Sequence, residues 1–287
     1  MTPGDYDFLR KLLKERSGLV LNGDKQYLIE SRLLPVSRRA GVAGLDGLIG
    51  KIRQPGNEQL VVEVVEAMAT NESLFFRDKI PFEHFSETIL PALLASRANQ
   101  RRIRIWCAAA STGQEPYSLA MALKEMGPAL AGWRIDILAT DFSLGVLEKA
   151  RAGIYSQFEV QRGLPIQMLV KYFTQVGDMW QVAPEIRAMV QFRPFNLLND
   201  CAALGHFDVV FCRNVLIYFD APTKTEVLNR IAKVVASDGY LVLGAAETVI
   251  GLTDSFRPIP DKRALYGPAP AKPLAVSNFS RPVAAAR

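Results

Sequence analysis

From about residue 100 onward the chain alternates short, nearly continuous apolar runs with helical stretches, and this alternation narrows the possible folds more than any other feature. The runs are Arg102–Cys107 (RIRIWC), Arg134–Thr140 (RIDILAT), Met189–Phe195, Phe207–Cys212 (FDVVFC) and Tyr240–Gly244 (YLVLG), with Arg263–Tyr266 (RALY) as a last strand. Runs that are apolar on both faces suit parallel strands covered on each side. Helical patterns at about 116–126, 143–152 and 222–236 supply the covering elements. The expectation is a doubly wound α/β sheet.

The first ~70 residues follow a different, helical pattern. Tyr6, Phe8, Leu9, Leu12 and Leu13 recur near the helical period, and Ser17-Gly18 closes that helix. Tyr27-Leu28 and Leu33-Leu34 carry a second, which Pro35 is expected to kink or end because it has no N–H to donate. Gly41, Gly44, Gly47 and Gly50 read as a punctuated connection, and Asn57–Met68 as a further helix. After Gly267 the chain has four prolines in twenty residues and few large apolar groups, the composition of a disordered tail. This gives a helical domain at 1–70, a sheet domain at 71–267 and a tail at 268–287.

An apolar content of 49% supports a folded core, and no stretch approaches the ~18 apolar residues of a membrane span. The start of the chain lacks a signal-peptide run, and Cys107, Cys201 and Cys212 have neither disulfide-framework nor zinc spacing, so a cytoplasmic location without a metal is expected. The net charge of +5 is weak evidence for nucleic acid, because Lys272, Arg281 and Arg287 in the tail supply three of the five. Between Lys25 and Arg53, six basic residues face two acids. That excess is either a solvated helical face or a docking surface for an acidic partner.

The sequence has no P-loop and no GxSxG elbow, and only two histidines, His84 and His206. What remains is a small-molecule site at the ends of parallel strands. Ala108-Ala109-Ala110-Ser111-Thr112-Gly113 follows the first run and opens a helix, where small residues let a ligand approach the backbone. Glu115 in the first helical turn is either a capping acid or a partner for a cationic ligand group. Asp141 ends the second run, where an acid in such folds accepts hydrogen bonds from ribose hydroxyls, or serves as a turn residue. Together they describe a nucleoside cofactor site and leave NAD and S-adenosylmethionine undistinguished. Asn214 and Tyr218 lie just past the Phe207–Cys212 run, where sites of this architecture open.

Several strings resemble the signature segments of the CheR-type chemoreceptor glutamate methyltransferases. They are Thr70–Asp78 (TNESLFFRD), ASTGQEPYSLAM at 110–121, TDFSLGVLEKARAGIY from Thr140, RGLP at 162–165, the Phe-Asn-Leu-Leu run at 195–198 and Phe211–Asp220 (FCRNVLIYFD). The resemblance covers about residues 6–267. It implies a class I S-adenosylmethionine-dependent methyltransferase fold with a small N-terminal all-α domain and a β-subdomain insertion at about 172–194. It further implies S-adenosylmethionine as cofactor and S-adenosylhomocysteine as product. The matching cofactor positions are Asn71, Ser73, Arg77, Glu115, Asp141, Asn196, Leu197, Cys212 and Arg213. Ser73 stands where the family usually has Thr, and Gln114 where it usually has Glu.

The implied reaction methylates side-chain carboxylates of chemoreceptor glutamates, with Arg77 and Tyr218 as catalytic candidates. Other readings are methylation of a different protein carboxylate, or an inactive module that docks on receptor arrays. The implied partner is the receptor's helical cytoplasmic bundle, met by Arg32, Arg38 and Arg39. The stretch Tyr172–Val182 holds one glycine and is short for a peptide-binding β-subdomain, so no C-terminal receptor tether is expected. A monomer with no nucleic-acid partner and no membrane insertion completes the expectation.

Overall fold

The structure, a computed structural model, describes residues 1–21 and 26–270. The proposed tail from 271 onward and Lys25 lie outside the described residues. Four helices come first: α1 (Pro3–Ser17), α2 (Gln26–Arg39), α3 (Gly44–Ile52) and α4 (Glu58–Met68). Thr2 and Asp5 form a reciprocal capping box at the start of α1, and Gly18, at φ 76°, ends it. The four pack around Leu9, Leu13, Ile29, Leu33, Leu48, Val64 and Met68.

Two readings of this region change. Of the two outcomes expected at Pro35, termination is excluded, because α2 continues to Arg39. Ile29, Leu33 and Val36 anchor the helix on both sides of the proline, and Ser31, whose carbonyl loses its donor, is exposed along with Pro35. The glycine-punctuated connection contains α3. Leu45, Leu48, Ile49 and Ile52 recur at helical spacing and are all buried, which outweighs the low helix propensity of Gly47 and Gly50.

A helical stretch, α5 (Ile80–His84) and α6 (Leu90–Ser96) joined by a turn of π-helix, leads to the sheet. The order then runs β1 (Arg102–Ala108), α7 (Gln114–Glu125), β2 (Arg134–Asp141), α8 (Leu144–Ala152), β3 (Ile154–Ser156), α9 (Gln157–Gln161) and α10 (Ile166–Tyr172). It continues with β4 (Phe173–Val176), β5 (Met179–Val182), α11 (Pro184–Arg187), β6 (Val190–Pro194), β7 (Phe207–Cys212), α12 (Ala221–Ala232), β8 (Val235–Leu243), β9 (Phe256–Pro258) and β10 (Leu265–Pro268).

Seven strands form the main sheet in the order β6-β2-β1-β7-β8-β10-β9, parallel from β6 to β8 and antiparallel at β10 and β9. Side chains alternate between two cores. Ile103, Ile105 and Cys107 of β1 join Val209 and Phe211 of β7 on one face, while Trp106 and Ala108 join Val210 and Cys212 on the other. The order reverses at β1 and β7, so their carboxyl ends open a crevice.

The second sheet is β3-β5-β4, antiparallel throughout, with β4 and β5 joined by a hairpin through Gly177 and Asp178. It differs from the expected 172–194 segment at both ends. Ile154–Ser156 supplies its third strand, and Val190–Pro194 belongs to the main sheet beside β2. Among the described residues no helix is long and apolar enough to cross a membrane, and no group of His, Cys, Asp and Glu could hold a metal ion.

Candidate active site

The crevice at the carboxyl ends of β1, β2 and β7 is a cleft with about 960 Å³ of space, part of it open to solvent. Its floor is the loop after β1, where Ala109 and Ser111 adopt φ 61° and 50°, conformations uncommon for residues with a Cβ. Asp141 fixes that loop. Its Oδ2 accepts the Ser111 N–H at 2.9 Å and its Oδ1 the Ser143 N–H at 3.0 Å. Burial pushes the Asp141 carboxyl up, opposed by the backbone N–H groups it accepts. A carboxylate has about four lone-pair sites, so Asp141 retains acceptor capacity towards the cleft that it lines.

Glu115, in the first turn of α7, also lines the cleft, with its side chain 12% exposed. Burial raises its carboxyl, while Arg213 opposes the rise and the Cys107 thiol hydrogen-bonds to it. Arg213 is a buried strut. Its Nη1 donates to Glu115 at 2.8 Å, and its Nη2 donates to Asp78 at 2.9 Å and to the Arg77 carbonyl at 2.7 Å. Asp78 therefore pairs with Arg213 rather than with its neighbour Arg77. The Arg77 Nη1 donates to the Glu72 carbonyl at 2.9 Å, and Arg77 lines the cleft.

Residues 69–79 form a strap over the cleft. Phe76, Asp78 and Lys79 all have positive φ (49°, 69° and 50°), a concentration of backbone strain held from several sides. Phe75 is fully buried and packs edge-on against Tyr155 and Phe173 at 5.0 and 5.5 Å. Gly163 of the RGLP string passes so close that a Cβ there would lie 2.1 Å from the Phe75 carbonyl oxygen. Arg162 pairs with Glu72 at 2.9 Å, and Ser111 Oγ donates to the Asn71 carbonyl.

The structure brings Asn71, Ser73, Arg77, Glu115, Asp141, Asn196, Leu197, Arg213 and Tyr218 to this one cleft, with Asn214 beside them. It does not bring the Cys212 side chain there. Cys212 is fully buried in the core with Val210 and Leu243, behind the cleft-lining Leu197 and Phe219, and burial drives its thiol pKa well up. Phe142 and Phe195 add apolar walls, and Asn196 Nδ2 donates to the Arg16 carbonyl at 2.7 Å. Two carboxylates, a close backbone and an aromatic wall suit a ligand carrying a diol, a cationic group and a flat ring.

Three of the six basic residues near the N-terminus are consumed inside the helical domain. Arg32 Nη1 donates to the Met68 and Ala69 carbonyls at 2.6 and 3.2 Å and its Nη2 to Thr70 Oγ1 at 3.0 Å, closing the end of α4. Lys51 donates to the Ala40 carbonyl, and Arg53 to the Gly4 carbonyl and Asp5. Arg38 and Arg39 are exposed. Arg32 is thus a strut rather than a free contact. Sequence reasoning missed this because its partners lie 36 to 38 residues away.

It also missed Glu247, whose carboxylate accepts four backbone N–H groups beside the cleft. No motif spacing links that residue to the strand ends it serves. Contacts also join the helical domain to the sheet. Lys14 pairs with Asp220 at 2.6 Å, Glu66 accepts the Leu144 N–H at the start of α8, and the Val20 N–H donates to the Tyr218 carbonyl at 3.0 Å.

Residues 71–265 match the family described as "CheR methyltransferase, SAM binding domain", and residues 4–69 match "CheR methyltransferase, all-alpha domain". "Chemotaxis protein methyltransferase 1" of Pseudomonas aeruginosa is 44% identical over 259 residues, spanning 88% of this chain and 93% of that protein. "Chemotaxis protein methyltransferase" of Vibrio parahaemolyticus is 41% identical over 255 residues, spanning 88% and 92%.

Proposed function

Because the chain belongs to the CheR methyltransferase family and its cofactor is S-adenosylmethionine, we propose that it methylates glutamate side chains in the cytoplasmic bundle of chemoreceptors, giving methyl esters. The observation that carries the choice of acceptor is the donor set of the cleft. Arg77, Asn214 and Tyr218 line one space, and a guanidinium, an amide and a hydroxyl can complement an anionic acceptor. A glutamate with an ordinary pKa of ~4.3 arrives ionised at pH 7, so it requires orientation rather than a base.

When bound, S-adenosylmethionine supplies an electrophilic methyl group on its sulfonium. Asp141 accepts from the ribose hydroxyls and Glu115 meets the ammonium, while Asn196, Leu197, Phe142 and Phe195 enclose the adenine. Asn71, Ser73 and Arg77 close the strap side, and Arg213 holds Glu115 in place and opposes the rise that burial imposes on its carboxyl. Arg77 offers paired N–H donors to a carboxylate. Tyr218 donates a single hydrogen bond to the acceptor without gripping it so strongly that its reactivity is lost. Excluding water and fixing an in-line approach can together contribute ~7–11 kcal/mol.

Receptor docking rests on the helical domain, with the exposed Arg38 and Arg39 among the described residues as its contacts, and involves no peptide tether at the short β3-β5-β4 sheet. Radiolabelled S-adenosylmethionine incubated with the protein and receptor-bearing membranes tests the proposal. Base-labile label on receptor glutamates is expected, and label elsewhere overturns it.

A further inference from the structure

Glu247, in the loop after β8, has no part in the reaction described above, yet it sits at the root of the catalytic loop. It is 8% exposed. Its Oε2 accepts the N–H groups of Asn214 at 2.8 Å and Gly244 at 2.7 Å, and its Oε1 those of Val215 at 3.0 Å and Ile217 at 3.3 Å. Strands β7 and β8 pair as far as Cys212 and Leu243. Beyond that rung the chains diverge, and the carboxylate takes over N–H groups that the ladder no longer serves. The two oxygens between them serve four donors from two strand ends.

The staple is tightly built. Asn214 is held at φ 58°, and a Cβ on Gly244 would lie 2.7 Å from Glu247 Oε2 and 2.9 Å from Asn214 Nδ2. Only a glycine leaves room for the carboxylate. The stapled residues lead straight into the 3-10 turn Leu216–Tyr218. Arg213, one residue upstream, is anchored independently through Glu115, Asp78 and the Arg77 carbonyl.

We propose that Glu247 is a positioning residue for methyl transfer, fixing the course of residues 214–217 so that Tyr218 is held at the acceptor. This rests on the glutamate-methylation reading above. Because Arg213 has its own anchors, loosening the staple displaces Tyr218 and leaves the cofactor wall standing. A catalytic loss without a binding loss is the signature.

Glu247→Gln keeps the shape but sets an NH2 group against two N–H donors. The expected result is a kcat for receptor methylation lowered at least ~10-fold with the Kd for S-adenosylhomocysteine within ~3-fold of wild type. Tyr218→Phe should then cost far less in the Glu247→Gln background than in the wild type, because both changes remove one function. Glu247→Asp, which draws the carboxylate back by one methylene, carries the same comparison if the Gln variant does not fold. Unchanged kcat, a parallel loss of kcat and cofactor affinity, losses that simply multiply, or failure of both variants to fold would each overturn the proposal. A wild-type protein that binds S-adenosylhomocysteine but methylates no receptor carboxylate would instead overturn the function proposed above, a distinct result because the failing protein is the unmodified one.

Discussion

Arg213 Nη1 lies 2.8 Å from Glu115 Oε2, and the same guanidinium holds Asp78 and the Arg77 carbonyl through Nη2. One buried side chain thus joins a strand end, a helix N-terminus and the strap. Removing it leaves Glu115 as a buried carboxylate without a cation. Arg213→Ala should therefore destabilise the protein by ~3–5 kcal/mol in a denaturant titration. Arg213→Lys keeps the charge but cannot span three acceptors with one ammonium. It should weaken S-adenosylhomocysteine binding at least ~10-fold, measured by calorimetry.

Asp141 holds the loop after β1 and is proposed to accept from ribose, and its substitution should test both roles. Asp141→Ala removes the acceptor proposed for the ribose and strands the Ser111 and Ser143 N–H groups, at ~1–3 kcal/mol for each buried donor left unpaired. Cofactor affinity should fall at least ~10-fold and the melting temperature should drop with it. An unchanged affinity would remove Asp141 from the ribose site.

The raised carboxyls of Glu115 and Asp141 give a pH dependence of definite sign. Burial lifts them above their ordinary 4.5 and 3.8, so in the empty protein they favour the fold below those values and cost stability as pH rises through the lifted ones. A cationic ligand beside them favours the ionised forms, so binding expels protons. Affinity for S-adenosylmethionine should consequently fall as pH is lowered through the range in which these raised carboxyls take up protons. Calorimetry in two buffers of different ionisation enthalpy should register the proton release.

Arg77 should not tolerate lysine. Its guanidinium spends one N–H on the Glu72 carbonyl and retains others for the cleft, a division an ammonium on a flexible stem does not reproduce. Arg77→Lys should lower receptor methylation by more than ~10-fold, the loss of at least ~1.4 kcal/mol of transition-state stabilisation.

Charge reversal separates docking from scaffolding on one helix. Arg38→Glu with Arg39→Glu should slow receptor methylation, increasingly so at low salt where the Debye length is ~10 Å or more, and leave S-adenosylhomocysteine binding intact. Arg32→Glu should instead lower the melting temperature, because it removes the cap on α4. Methylation of receptors truncated at their C-terminus should match that of intact receptors. Loss on truncation would restore the peptide tether.

The sheet and the two carboxylates were legible in the sequence because their signals are local. A strand buried on both faces must be apolar at consecutive positions, as at Phe207–Cys212, and an acid closing such a run, as Asp141 does, lands at the crevice. Strand β8 was read short because Asp238 and Gly239 interrupt its apolar run, where the pairing with β7 also shifts register. The helix α3 was hidden by its glycines. Roles set by distant partners left no local trace: Arg32 capping α4, Arg213 bridging Glu115 to Asp78, and Glu247 gathering N–H groups from two strand ends.

Ser17 and Leu19, at the end of α1, line the same cleft as Asp141 and Glu115. The region proposed to recognise the receptor therefore contributes wall to the cofactor's chamber. Exchanging helical domains between relatives, the obvious way to redirect such an enzyme to new receptors, would carry a piece of that wall with it. On the proposed function, receptor choice and cofactor grip would be inherited together, and a chimera that retargets one would need re-fitting at Ser17 and Leu19 for the other.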